Sequence, residues 1–331
     1  MLSRDIGIDL GTANVLIYIK GKGIVLNEPS VVVIDTENQK VLAVGQEASE
    51  MIGKTPGKIK VVKPMKDGVI ADFELTEIML NMFIKKIKAR KLFSKPRILI
   101  CCPTNITPVE KNAIIEAAER TGARKVYIEE EPKVAAIGAG MDISKPSASM
   151  ILDIGGGTTD IAVLSLNGIA SSTSIKTAGN EMDQDIIKYI RGKHHLLIGE
   201  KTAEEIKMNF ADVYKPDKKK KYEIRGRNLI TGLPASLEIT QEEIKEALDE
   251  TVNKIIKAAK SVLEQTSPEL SADIVDKGVI ITGGGSLLKG LDKVLEEELT
   301  IPVLITQTPL TSVAEGTGIL LNKLKLLEEN Q

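Results

Sequence analysis

Apolar positions recur along this chain at two spacings, and the switches between them mark out its elements. In DIGIDLGTANVLIYI, residues 5–19, apolar runs at Ile6–Leu10 and Val15–Ile19 flank Gly11, Thr12 and Asn14, a pattern that predicts a β-hairpin. After SVVVI and VLAVG, the period lengthens. Ile78, Met82, Phe83 and Ile87 fall on one predicted helical face that ends in a basic tail. RILICC reads as a strand. Thr107-Pro108-Val109-Glu110 combines a capping box with proline at the first helical position and starts a helix to about Arg120, which Gly122 stops. The strand KVYIEE and the small-residue helix VAAIGAGM follow, and this alternation implies a mixed α/β sheet.

From Met150 the order repeats. LDIGGGTTDIAVLSL, residues 152–166, carries the parts of the first hairpin in the same sequence: apolar run, Asp, apolar residue, Gly, Thr, apolar run. A polar insert follows, whose Lys218 to Lys221 read as a solvated loop or edge. Thr202-Ala203-Glu204-Glu205 reads as a capping box opening a helix. A third box, Thr240 to Glu243, precedes Ile244, Leu248, Val252, Ile255 and Ala259 at core-facing helical spacing. GVIITGGGSLLKGL predicts a buried strand, a glycine turn and a helix beginning near Ser286. A last amphipathic helix carries Ile319, Leu320, Leu324 and Leu327. Two copies about one domain length apart predict a duplicated architecture.

The chain's 331 residues suffice for about two domains. A formal net charge of -2 removes any general bias toward polyanions, so nucleic acid is not an expected partner. Cys101 and Cys102 are neighbours in an apparent strand, where a disulfide would be badly strained; they read as small buried hydrophobes in a reducing compartment. No signal-peptide core opens the chain and no run approaches the roughly 18 apolar residues of a membrane span, so a cytoplasmic protein is expected.

Glycines let backbone N–H groups approach a phosphate closely, and Gly11 to Asn14 and Gly155 to Thr159 offer this twice. Alone, each is an ordinary glycine turn; as a pair they read as a triphosphate clamp. Asp9 and Asp153, one before each turn, suit a hydrated Mg²⁺. Other nucleotide signatures fail: Gly53-Lys54-Thr55 lacks the P-loop spacing, and Leu288 stands where a dinucleotide fold needs its third glycine. His194 and His195 have no cysteine nearby, which argues against a zinc site or a His-centred triad. The third glycine turn, Gly283 to Ser286, is either a packing turn or a rest for adenine or ribose. Glu204 and Lys207, at i and i+3, form either a surface ion pair or a ribose clamp. Glu131, with Pro132 at a helix start, either caps that helix or orients a water toward a γ-phosphate with help from Thr158.

The paired DLGTAN and DIGGGTTD, with EEPKVAAIGAG and ITGGGSLLKGL, resemble the actin superfamily of ATPases. KDGVIADF, KPRILICCPTNITPVE and LLIGEKTAEEIK narrow the resemblance, over essentially the whole chain, to the MreB family of bacterial actin homologues and within it to the Mbl paralogues. The resemblance implies an α/β, actin-like (ribonuclease H-like) ATPase fold of two duplicated domains around a nucleotide cleft. Domain I would span 1–141 with an insert at about 33–65, domain II 142–309 with an insert at about 180–240, and 310–331 would be a helix returning to domain I. It further implies ATP and Mg²⁺ as cofactors. Thr12, Ala13 and Asn14 would form the first phosphate loop and Gly156, Gly157 and Thr158 the second; Asp9 and Asp153 would face the metal. Glu204, Glu205, Ile206 and Lys207 would border the ribose and base, Ser286, Leu287, Leu288 and Lys289 would close over the adenine, and Glu131 with Thr158 would position the attacking water.

What the family implies for function is ATP-dependent filaments of paired, antiparallel strands at the inner face of the cell membrane, organising cell-wall synthesis and maintaining rod shape. From spacing alone Leu92-Phe93, between KKIKARK and SKPR, reads as docking on the core, with the basic residues complementing a helix end; the resemblance implies instead that it is a membrane-inserting loop. Two alternatives share the fold. A small-molecule kinase needs added substrate-binding elements for which this chain has little room, and a heat-shock chaperone needs a peptide-binding domain after the final helix.

Overall fold

The computed structural model describes residues 5–87 and 95–323. The chain divides into two compact units: Met1–Lys145 with Leu166–Ile169 and Leu310–Gln331, and Pro146–Ser165 with Ala170–Pro309.

The first unit opens with the predicted hairpin, β1 (Ile6–Leu10) antiparallel to β2 (Asn14–Ile19), followed by β3 (Gly23–Pro29). β4 (Val32–Asp35), β5 (Val41–Val44), α1 (Gln46–Glu50) and β6 (Ile59–Val62) form a small satellite sheet of order β5-β4-β6. β7 (Met65–Lys66) and β8 (Val69–Ile70) lead into α2 (Phe73–Lys86), then β9 (Arg97–Cys102), α3 (Pro108–Arg120), β10 (Lys125–Glu130) and α4 (Glu131–Gly138). The main sheet runs β10-β9-β1-β2-β3, with β10, β9 and β1 parallel. Both bonds of the α3 capping box are made: the Thr107 hydroxyl accepts from Glu110 N–H and the Glu110 carboxylate accepts from Thr107 N–H.

One expected helical face is corrected. In α2 the buried residues are Leu75, Met79 and Phe83 with Thr76, Leu80 and Ile84, whereas Ile78 and Met82 are exposed. The Asp72 carboxylate accepts from Leu75 N–H and starts the helix one turn before the window in which the face was read; the stripe that begins at Leu75 is the one that reaches the core.

The second unit repeats the plan. β11 (Ser149–Ile154), β12 (Thr159–Ser165) and β13 (Gly168–Ile175) are followed by α5 (Gly179–His194), β14 (Leu196–Leu197), α6 (Glu200–Asn209), β15 (Lys221–Asn228) and β16 (Pro234–Thr240). α7 (Gln241–Glu264), α8 (Pro268–Lys277), β17 (Val279–Thr282), a 3₁₀ turn (Gly284–Leu287), α9 (Leu291–Leu299) and β18 (Val303–Ile305) complete it. Its sheet order, β13-β12-β11-β17-β18, matches the first sheet position for position: a central strand with its antiparallel hairpin partner on one side and two parallel strands on the other. β11 is buried along its whole length and reads accordingly as a nearly unbroken apolar run. Ile244, Leu248, Val252, Ile255 and Ala259 of α7 are all buried, as their spacing predicts, at about 1.5–3 kcal/mol for each large aliphatic.

Two expected helix starts move. α6 begins at Glu200, not at a Thr202 capping box, and no side chain caps it. Ser286 lies in the 3₁₀ turn, and the helix proper waits until Leu291 because Gly290, at φ 85°, breaks the chain direction just before it. α10 (Ser312–Asn322) returns to the first unit; Leu320 is buried, Ile319 is exposed, and the expected positions Leu324 and Leu327 lie outside the described residues.

Candidate functional site

In both sheets the central strand ends in a four-residue turn closed by the same bond: Gly11 N–H donates to Asn14 C=O at 3.1 Å, and Gly155 N–H to Thr158 C=O at 2.9 Å. Each turn leaves the carboxyl end of the central strand of its sheet, where ligands of open α/β sheets bind. What braces the two turns differs. Under the first, Ser30 Oγ donates to Gly11 C=O at 2.7 Å, Ser30 N–H donates to Ala13 C=O at 2.8 Å, and Thr12 Oγ1 accepts from Gly68 N–H at 2.9 Å. Under the second lies the start of α5: Gly179 N–H donates to Gly155 C=O and Asn180 N–H to Gly156 C=O. Ala13 and Asn14 are exposed, while Gly157 and Thr158 are buried.

Within the first unit, register sets Asp9, Cys101 and Glu129 side by side across β1, β9 and β10. Glu131 begins α4 directly beyond. Desolvation pushes the Asp9 carboxyl up to about 7. Burial, and then the charges of Asp9 and Glu131, raise the Cys101 thiol well above its ordinary value. The Lys133 ammonium lies 3.0 Å from Glu129. Glu130, not Glu131, occupies the cap position of α4, and no side chain caps that helix.

Within the second unit, Asp153 is buried at the end of β11 and the Gly283 turn packs directly on it. A Cβ on Gly283, whose φ is 80°, would stand 2.4 Å from Asp153 Oδ1. Lys207, expected beside Glu204, instead places its ammonium 2.8 Å from Asp183 and 2.9 Å from Gly179 C=O. It thereby ties α6 to the α5 start that carries the second turn. Glu204 and Glu205 are exposed and the Ile206 side chain is in the core. Ser286 is buried, its hydroxyl donating to Gly283 C=O; Leu287 is exposed, Leu288 is buried, and Lys289 pairs with Asp212 at 2.8 Å. Leu92 and Phe93 lie outside the described residues. Sequence reasoning missed the braces Ser30, Gly68, Gly179, Asn180 and Asp183, each remote in sequence from the residue it holds.

The donor set suits Mg²⁺: hard carboxylate oxygens beside amide-lined turns, with a burial cost at Asp9 that a divalent cation relieves. Among the described residues no cluster of three or more His, Cys, Asp or Glu is arranged as a metal cage.

The family described as MreB/Mbl protein matches residues 3–329. The chain belongs to the MreB/Mbl family. It is 61% identical to the cell shape-determining protein Mbl of Bacillus cereus, over 99% of this chain and 98% of that one. Identity to the cell shape-determining protein MreB of Escherichia coli (strain K12) is 50%, over 96% and 93% of the two chains. Among solved structures, MreB5 of Spiroplasma citri bound to AMPPNP superposes with a TM-score of 0.94 at 40% identity, covering 100% of this chain and 99% of that one. MreB5 has also been solved bound to ADP. The MamK double helical filament superposes with a TM-score of 0.82 at 23% identity, covering 96% and 98%. This chain therefore has the actin-like α/β fold of MreB5 and MamK, as its motifs imply. Among the described residues no helix is long and apolar enough to cross a membrane.

Proposed function

We propose that this MreB/Mbl chain binds and hydrolyses ATP, assembles with copies of itself into filaments of paired antiparallel strands, and as a cytoplasmic protein at the inner face of the cell membrane organises wall synthesis to maintain rod shape. The observation that carries the reading is the pair of hairpin turns closed by one shared bond, each preceded by an aspartate. The nucleotides bound to MreB5 and the names of the Mbl and MreB relatives support it.

In this reading the backbone donors of Thr12, Ala13 and Asn14 and of Gly156, Gly157 and Thr158 hold the phosphates. Asp9 and Asp153 hold the waters of a Mg²⁺, which when bound neutralises phosphate charge. Glu131, at the first turn of α4, orients the attacking water with Thr158, and catalysis rests on positioning and charge stabilisation. The backbone around Glu204 to Lys207 and Ser286 to Lys289 borders the ribose and base. Leu92 and Phe93 enter the lipid.

Electron microscopy of the purified protein on anionic lipid, with and without ATP, tests the reading. Filaments that require ATP are expected, and a persistently monomeric, ATP-loaded protein overturns it. Glu131→Ala should slow hydrolysis by about 100-fold or more while sparing nucleotide binding; unchanged turnover removes Glu131 from its role. Replacing Leu92 and Phe93 by Ser should reduce co-sedimentation with liposomes but leave assembly intact.

A further inference from the structure

We propose that α10 is the strut that sets where Glu131 stands relative to the first phosphate turn, and that Gly316 and Gly318 are positioning residues for hydrolysis; this rests on the reading of Glu131 and the 11–14 turn given above. Three consecutive residues of α10 address three different elements. A Cβ on Gly316 would lie 2.0 Å from the Val134 carbonyl oxygen of α4, three residues beyond Glu131. Thr317 Oγ1 stands 1.9 Å from where a Cβ on Gly7 of β1 would be, two residues before Asp9. A Cβ on Gly318 would lie 2.4 Å from Cζ of Tyr18, on β2 directly opposite Gly7. α4 answers in kind, for a Cβ on its Gly138 would meet Ser312 C=O at 1.7 Å.

Thr317 is fully buried, and its hydroxyl donates to Ala314 C=O at 2.7 Å, so its methyl and oxygen are held against β1. α10 thus touches the strand that carries Asp9, the strand that leaves the phosphate turn and the helix that carries Glu131, with no side-chain bulk between it and that helix. Close-packed interiors transmit a methyl group's displacement and do not absorb it. A shift of α4 against the β1–β2 hairpin moves Glu131 relative to phosphates that the turn still holds. A misplacement of about 1 Å is enough to cost roughly 100-fold in rate.

The test is hydrolysis at saturating ATP and ATP affinity by calorimetry, on full-length Gly316→Ala and Gly318→Ala below the concentration of assembly, with folding checked by circular dichroism. Hydrolysis should fall about 10- to 100-fold with affinity within about threefold, the pattern of an interaction made only in the transition state. Adding Tyr18→Leu to Gly318→Ala should restore much of the rate, because the ring that the new methyl strikes is gone. Should Gly316→Ala fail to fold, the Gly318 pair decides. Wild-type hydrolysis in a folded variant, or rate and affinity falling in parallel, overturns the strut. A wild-type protein that binds ATP without hydrolysing it would instead overturn the reading of Glu131.

Discussion

The 11–14 and 155–158 turns share a closing bond and differ in everything beneath it. The 11–14 turn stands on individual groups from later loops, the Ser30 side chain and the Gly68 amide, with its tip exposed. The 155–158 turn stands on the first two amides of α5, and that helix is pinned to α6 through Lys207 and Asp183. One geometry has therefore been reached by two routes. The first route spreads its cost over weak, separable contacts, and the second concentrates it in one part-buried ion pair.

Breaking the ion pair should have the largest effect. Asp183→Ala leaves the Lys207 ammonium, whose side chain is only 14% exposed, without its carboxylate. A loss of about 3 kcal/mol or more is expected in thermal or urea unfolding, with weaker nucleotide binding because the α5 start is released. Next come the glycines that open the turns. A Cβ on Gly11 would stand 2.7 Å from Asn14 C=O, whereas one on Gly155 would stand 3.3 Å from Thr158 C=O. Gly11→Ala should cost roughly 1–3 kcal/mol and ATP affinity, and Gly155→Ala less than about 1 kcal/mol; equal losses in parallel unfolding curves would erase the distinction. Ser30→Ala removes one bond from the first turn and should cost about 1 kcal/mol.

A separate test works through pH. The Asp9 carboxyl is raised to about 7 in the folded, metal-free chain from an ordinary value of 3.8. Between those values the folded state binds the proton more tightly than the unfolded state, so this group's contribution to stability declines as pH rises from about 4 to 7 and stays low above. Asp9→Asn should therefore melt higher than wild type at pH 8 without nucleotide or Mg²⁺, and the gap should close toward pH 4. A gap that widens on acidification would contradict burial as the cause.

The hairpins, two of the three expected capping boxes and the duplicated order of strands were legible because each rests on residues adjacent in sequence; the Thr202 box failed because its helix starts at Glu200. The capping bonds of Thr107 with Glu110 and Thr240 with Glu243 span three residues, and both are made. What could not be read was phase and distance. Ile78 and Met82 fit a 3.6-residue period as well as Leu75 and Met79 do, and only the Asp72 cap and the sheet beneath decide which stripe is buried. Lys207 has Glu204 one turn away, yet its partner is Asp183 on a neighbouring helix, a choice set by how α5 and α6 pack. The braces of the first turn likewise reach back from Ser30 and Gly68, too far along the chain for local pattern to show.

The row of Asp9, Cys101 and Glu129 has a practical consequence in labelling chemistry. Thiol reagents attack the thiolate, and Cys101 is buried among carboxylates that hold it protonated, beside an equally buried Cys102. With no other cysteine in the chain, alkylation has nothing to modify while the first sheet stays closed. Uptake of a maleimide by the native, untagged protein is thus a reporter of that sheet's opening.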